Sequence, residues 1–243
     1  MISTLTGNEA ARVLADPESL RSRSDANPLR KVLVVGTFRS GTNLTRYCLQ
    51  RFFRTDSVFN EWFWKHGVPP TGIQRPIPSD VPIVVMSKDP CEVNVSLYRF
   101  WQARRPELAI GNSLSEFIRR RVVVYDNSRA NIDPKYYYLT PTEYWNQFYY
   151  SWLNWAEVET QRVFLRCEDL LSAPDKHLSA IAERFGLERR LDGPITLPDG
   201  RIGPTPSREI RSRNHLLSDT DLEWIRSLVD NDVARSLGYS RYA

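Results

Sequence analysis

The sequence has few of the residues that build covalently stapled or metal-held scaffolds. Its three cysteines, Cys48, Cys91 and Cys167, are odd in number and widely spaced, with no C-x-x-C pair. That argues against a disulfide framework and a zinc site, and it fits a reducing compartment, taken as the cytoplasm. Cys48 and Cys91 fall within helical patterns and are expected as small core residues. No stretch approaches the roughly 20 apolar residues of a membrane span, and no basic-then-apolar leader opens the chain. Despite a net charge of +4 there is no long basic stripe, so a nucleic-acid partner is not expected. Arg119, Arg120 and Arg121 would spread around a helix as a solvated surface. Internal repeats, low-complexity tracts and linkers are also missing. The 243 residues are therefore read as a single domain, with residues 1–30 a polar lead-in carrying a short helix around Asn8 to Ala15. No oligomeric state is implied.

What is present is an ordinary globular balance with alternating strand and helix patterns. Val32 to Val35 form a short apolar run typical of a strand covered on both faces. Gly36 and Gly41 punctuate the turn that follows, and a helix begins near Leu44, with Leu44, Tyr47, Cys48 and Phe52 on one face. A second strand is expected around Val58, ending near Glu61. "PIVVMSKDP" then repeats the design of strand, polar corner and helix, and Val93, Leu97, Phe100 and Trp101 share one side of that helix. Further helices are expected over Ser113 to Arg121, Thr142 to Val158, the "PDKHLSAIAERF" stretch stopped by Gly186, and one final helix opened by Ser218 or Asp219. "RVFLRCEDLL" reads as a strand ending in an acidic corner, and residues 192 to 217 as loop. The alternation predicts an α/β fold: a three-layer sandwich with a mostly parallel central sheet flanked by helices.

Such sheets bind ligands beyond the C-terminal ends of their strands. That singles out the corners at Gly36–Thr42, Glu61–His66 and Ser87–Asp89. The first places Arg39, Ser40, Gly41, Thr42 and Asn43 where a strand becomes a helix, a setting for an oxyanion. Gly36 and Gly41 have the spacing of the nucleotide-binding G-x-x-x-x-G-K-[ST] loop, but Thr42 and Asn43 stand where Lys and Ser or Thr would be needed for a magnesium-nucleotide site. Lys88 leaves its strand at the C-terminal end, and Ser96 lies two turns into the next helix. Together they could hold a second anionic group on the same ligand.

These motifs, in this order, resemble the PAPS-dependent sulfotransferase family, whose fold is P-loop-like. Arg39-Ser40-Gly41-Thr42 is similar to its 5′-phosphosulfate loop. "VVMSKDPCEVNVSLYRF", with Lys88, Asp89-Pro90 and Ser96, is similar to its 3′-phosphate motif; "VFLRCEDLL" and the closing "LGY" also fit. The likeness runs from about Lys31 to Tyr239. Lys88 stands where Arg is usual, and the late Arg-Lys-Gly triplet is absent; Arg208, Arg211 and Arg213 are offered instead, with Arg211 favoured. The resemblance implies transfer of a sulfuryl group from PAPS to an acceptor hydroxyl on a small molecule or glycan, leaving PAP and using no metal. Arg39, Ser40, Gly41, Thr42 and Asn43 would hold the 5′ end, and Lys88, Ser96 and Arg211 the 3′-phosphate. Two residues could serve as the base. His66 follows the second strand and has a pKa suited to proton transfer, and Glu61 occupies the position other relatives use. Lys65 would stabilise the leaving group. A P-loop kinase and a non-catalytic nucleotide-binding relative are the alternative readings. The Trp145, Phe148, Tyr149, Trp152, Ala156 stripe is expected as core, while Tyr136, Tyr137 and Tyr138 could stack on a ligand.

Overall fold

A computed structural model describes residues 29–68, 76–104, 111–124, 138–198 and 214–242. The expected N-terminal helix, Tyr136, Tyr137, Arg208, Arg211 and Arg213 lie outside these residues. The core is a four-stranded, wholly parallel sheet in the order β2-β1-β3-β6, built from β1 (Arg30–Gly36), β2 (Thr55–Val58), β3 (Ile83–Ser87) and β6 (Arg162–Arg166). Between them run α1 (Thr42–Phe52), α2 (Pro90–Arg104), α3 (Leu114–Arg119), a two-stranded ribbon of β4 (Val123–Val124) and β5 (Tyr138–Leu139), and α4 (Pro141–Asn154). After β6 come α5 (Cys167–Ser172), α6 (Pro174–Phe185), α7 (Asp219–Leu228) and α8 (Asn231–Ser236).

The strands are apolar throughout because both faces are covered. Leu33, Val35, Ile83 and Val85 point into a core shared with residues of α2, α3, α4, α7 and α8. Val32, Val34, Val84 and Met86 point into a second core with α1, α5 and α6. The result is the three-layer α/β sandwich expected. It also creates a switch point: α1 leaves β1 on one face of the sheet, and α2 leaves β3 on the other. The adjacent C-terminal ends of β1 and β3 therefore diverge and open a crevice.

Several boundaries differ from the sequence reading. β2 is Thr55–Val58, displaced toward polar residues because pairing with β1, Thr55 opposite Arg30 through Val58 opposite Leu33, sets its limits. On α1 the buried residues are Thr42, Thr45, Cys48, Leu49 and Phe52; Leu44 and Tyr47 sit at the edge of that core. α4 stops at Asn154, because the Arg162 guanidinium takes the carbonyls of Leu153 and Trp155 at its end. Its aromatic stripe is buried as expected, except that Ala156, beyond the stop, is exposed. The acidic corner after β6 is a short helix, α5. The final helix is broken at Val229, where Asn146 donates to Leu228 O (2.6 Å) and accepts from Asp230 N–H (3.0 Å). Asp230 then caps α8. Cys48, Cys91 and Cys167 are free and buried. No described helix is long and apolar enough to cross a membrane.

Candidate functional site

The β1–α1 loop is built on backbone few residues tolerate. Gly41 has φ 95° and Arg39 φ 68°, a left-handed conformation unusual for a residue with a Cβ. A Cβ on Gly36 would lie 2.3 Å from Ser40 Oγ and 2.7 Å from Met86 O, and one on Gly41 would lie 3.0 Å from Cys167 Sγ. Both positions need glycine because the loop lies directly on β3 and the end of β6. Gly41 provides no side chain to cap α1, and no acidic residue occupies the helix's first turn. The first N–H groups of α1 are thus left without a side-chain partner, as an anion site requires.

Strain at Arg39 is matched by what its side chain does. Arg39 Nε donates to Ser96 Oγ at 3.2 Å, and the guanidinium lies 4.8 Å from the centre of the Phe100 ring, one turn farther along α2. The loop cation and the serine of the second motif are therefore in direct contact across the crevice. Lys88 stands at the end of β3, half-buried, and its ammonium has no hydrogen-bond or ion-pair partner among the described residues. Trp145 Nε1 holds the Lys88 carbonyl at 2.8 Å. Beneath the loop, burial pushes the Cys167 thiol up to about 11, while the nearby Lys88 and Arg39 pull the other way.

Ser40 is held by the loop itself. Its hydroxyl (2.7 Å) and its N–H (3.2 Å) both donate to Thr37 O inside the loop. The hydroxyl of Thr37 meets that of Tyr149 at 3.0 Å, and Tyr149 donates to Met86 O. Ser40 therefore shapes the turn from within.

The two candidate bases are held apart. Glu61 is turned to Lys31 Nζ (2.6 Å), near the start of β1. About 16 Å of strand separates Lys31 from Gly36, more than a lysine side chain spans. His66 stands at the loop itself. Its Nδ1 is 2.7 Å from Gly36 O. A carbonyl only accepts, so Nδ1 carries the proton and Nε2 the free lone pair. Burial, then the charge of Lys65, pushes the imidazole down to about 3, with Arg39 adding to the shift and the Gly36 carbonyl opposing it. The ring packs against Phe38, centroids 4.3 Å apart, and Tyr144 donates to the His66 carbonyl at 2.7 Å.

Next to it, Lys65 Nζ donates to Asn43 Oδ1 (3.2 Å), and Gly36 N–H is bonded to Lys65 O. Burial and the neighbouring Arg46 bring the Lys65 ammonium down to about 8. Arg46 was missed in the sequence, although it lies three residues after Asn43 and hence on the same face of α1. Tyr138 lies in β5 but only its backbone is described. The described residues hold no group of three or more His, Cys, Asp or Glu that could bind a metal.

No protein-family model matches this sequence, and no curated protein matches it. Among solved structures, mouse sulfotransferase SULT7A1 complexed with PAP is similar over 94% of this chain and 70% of that one, at 15% identity and a TM-score of 0.41. Retinol dehydratase in complex with androsterone and inactive cofactor PAP is similar over 87% of this chain and 68% of that chain, also at 15% identity, with a TM-score of 0.34. Likenesses this distant transfer no residue roles, and the chemistry of the site rests on its own geometry.

Proposed function

We propose that the protein is a sulfotransferase, moving a sulfuryl group from PAPS to a hydroxyl of a small-molecule or glycan acceptor. The observation that carries this reading is the contact between Arg39 and Ser96. It ties the loop beyond β1 to the helix that follows Lys88 at the end of β3, so that the crevice between these strand ends is bordered by two cationic corners and suits a ligand with separated anionic groups. A magnesium nucleotide fits less well, because Thr42 and Asn43 occupy the positions of the lysine and hydroxyl it needs.

The residues present suit such a donor. The uncapped N–H groups of Thr42 and its neighbours, with Arg39 and Asn43, would hold the 5′ end. Lys88 and Ser96 would hold the 3′-phosphate, and Arg211 is a further candidate. PAPS supplies an activated sulfuryl group on a phosphate leaving group. His66 Nε2 receives the proton that the acceptor hydroxyl loses, while Nδ1–H stays on Gly36 O and fixes the tautomer. Arg39 and Lys65 neutralise negative charge that builds on the departing oxygen. Burial is the main cause of the low His66 pKa, and a bound anion would offset the further push of Lys65 and Arg39, making the imidazole a somewhat better base when the site is filled.

Calorimetric titration with PAP in EDTA, repeated with ATP and magnesium, tests the reading. PAP is expected to bind without metal, and Arg39→Ala and Ser96→Ala are each expected to weaken it by about tenfold or more. If ATP binds only with magnesium and PAP not at all, the protein belongs with the nucleotide-dependent kinases.

A further inference from the structure

Arg46, which the donor site does not use, forms a cation pair with Lys65, the residue that stands where the donor's departing oxygen would face the acceptor. Arg46 points from the second turn of α1 toward the C-terminal end of β2, donating from Nε to Ser57 O at 2.8 Å. Its guanidinium carbon lies 3.9 Å from the centre of the Phe59 ring, and Lys65 Nζ lies 5.0 Å from the same centre. Both cations are half-buried, while Phe59 is 40% exposed. Of the other half-buried cations, Arg54 has Glu188, Arg166 has Asp169 and Arg189 has Asp175. Arg46 and Lys65 have no ion pair among the described residues; Asp56 acts on Arg46 only from a distance. Two half-buried like charges sharing one ring repel each other, and an arrangement of this kind is stabilised by an anion between them.

Position decides which anion. In the sheet order β2-β1-β3-β6, Lys88 and Ser96 lie on the β3 side of the β1 loop, and Arg46, Phe59 and Lys65 on the β2 side. A donor held from Lys88 to the loop leaves the β2 side for the acceptor. His66, the base, immediately follows Lys65. We propose that Arg46 and Lys65, with Asn43, form an anion subsite for an acidic group carried by the acceptor, a carboxylate or a sulfate or phosphate ester on the molecule whose hydroxyl His66 deprotonates. This rests on the sulfuryl-transfer reading and narrows its acceptor to hydroxyl compounds that are themselves acidic. Burial above all lowers both cations, Arg46 to about 10 and Lys65 to about 8, and an anion beside them would oppose that shift.

Inorganic sulfate is the probe. The full chain is saturated with PAP, and sulfate is titrated at constant ionic strength into the wild type, Arg46→Gln and Arg46→Lys. Sulfate is expected to bind the PAP complex, to weaken about tenfold in Arg46→Gln, and to be largely restored in Arg46→Lys. PAP affinity should stay within about threefold in all three. Sulfate resting only where the transferred group would sit would be indifferent to Arg46, so equal binding by wild type and Arg46→Gln overturns the subsite, as does no binding at all. If Arg46→Gln does not fold, Arg46→Met, which keeps the apolar stem against Phe59, decides instead: sulfate binding to its PAP complex must weaken about tenfold, and unchanged binding overturns the proposal. Absence of PAP binding is a separate result. It removes the donor reading and, with it, the acceptor role of this pair.

Discussion

At the scale of one residue, the proposed base is His66. Its Nδ1–H is committed to Gly36 O, and burial, with Lys65 and Arg39 nearby, keeps the ring neutral. His66→Asn is expected to lower turnover by about 10²- to 10⁴-fold while leaving PAP affinity within about threefold, measured by single-turnover assay and calorimetry. Glu61→Gln, whose carboxylate serves Lys31, should leave turnover within a few-fold; a large loss there would reverse the assignment of the base. The same burial has a thermodynamic consequence. The folded pKa of about 3 lies below the unfolded value near 6.5, so between those values the unfolded chain binds the extra proton. Stability is fully present above pH 6.5 and falls as pH drops toward 3, by up to about 1.4 kcal/mol per pH unit. Urea titrations across this window should show that slope in the wild type and a shallower one in His66→Asn.

Elements explain which parts of this were readable in the sequence. The β1 run Val32–Val35 and the glycines at 36 and 41 were legible because burial on both faces and a left-handed turn each demand a narrow set of residues. Gly41→Ala combines φ 95° with a Cβ at 3.0 Å from Cys167 Sγ, and is expected to destabilise the fold by about 1–3 kcal/mol, read from the urea midpoint. Less legible were features fixed by partners distant in sequence. The limits of β2 come from its register with β1, and the stop of α4 comes from Arg162. The break between α7 and α8 was signalled locally, since Asp230 accepts from the N–H groups of Asp232 and Val233, but Asn146 of α4 completes it. Within the site, the spacing of Arg39, Lys88 and Ser96 drew attention to the crevice. The commitment of Ser40 to Thr37 and the pairing of Glu61 with Lys31 depend on side-chain directions that spacing does not encode.

At the scale of the whole molecule, the last described residues close the site from behind. Tyr239 hydroxyl meets Ser87 Oγ at 3.2 Å and Glu168 at 3.1 Å, and Glu168 in turn accepts the Asp89 N–H at 2.9 Å. Asp89 caps α2 through the N–H groups of Cys91 and Glu92, receives the Tyr242 hydroxyl and pairs with Arg241. Residues 239–242 thus bind the corner that carries Lys88, about 150 positions earlier in the chain. Burial raises the Asp89 carboxyl above its ordinary value, and Arg241 is the strongest influence pulling it back. Arg241→Ala removes that opposition and leaves a buried carboxylate short of a partner. With Arg241 half-exposed, the expected loss at neutral pH is about 1–2 kcal/mol, together with weaker PAP binding through displacement of Lys88. The sign of its pH dependence follows from the raised pKa. Above the unfolded value of 3.8 the folded state holds the extra proton, so stability declines as pH rises through the folded pKa, and more steeply once Arg241 is gone. The deficit of Arg241→Ala relative to wild type should therefore shrink at pH 5 compared with pH 7.5, since the His66 contribution is common to both and cancels. Thermal midpoints of the two proteins at those pH values test this. A deficit that stays constant or grows on acidification would mean that Arg241 acts through packing on the Tyr242 ring, not through the charge of Asp89.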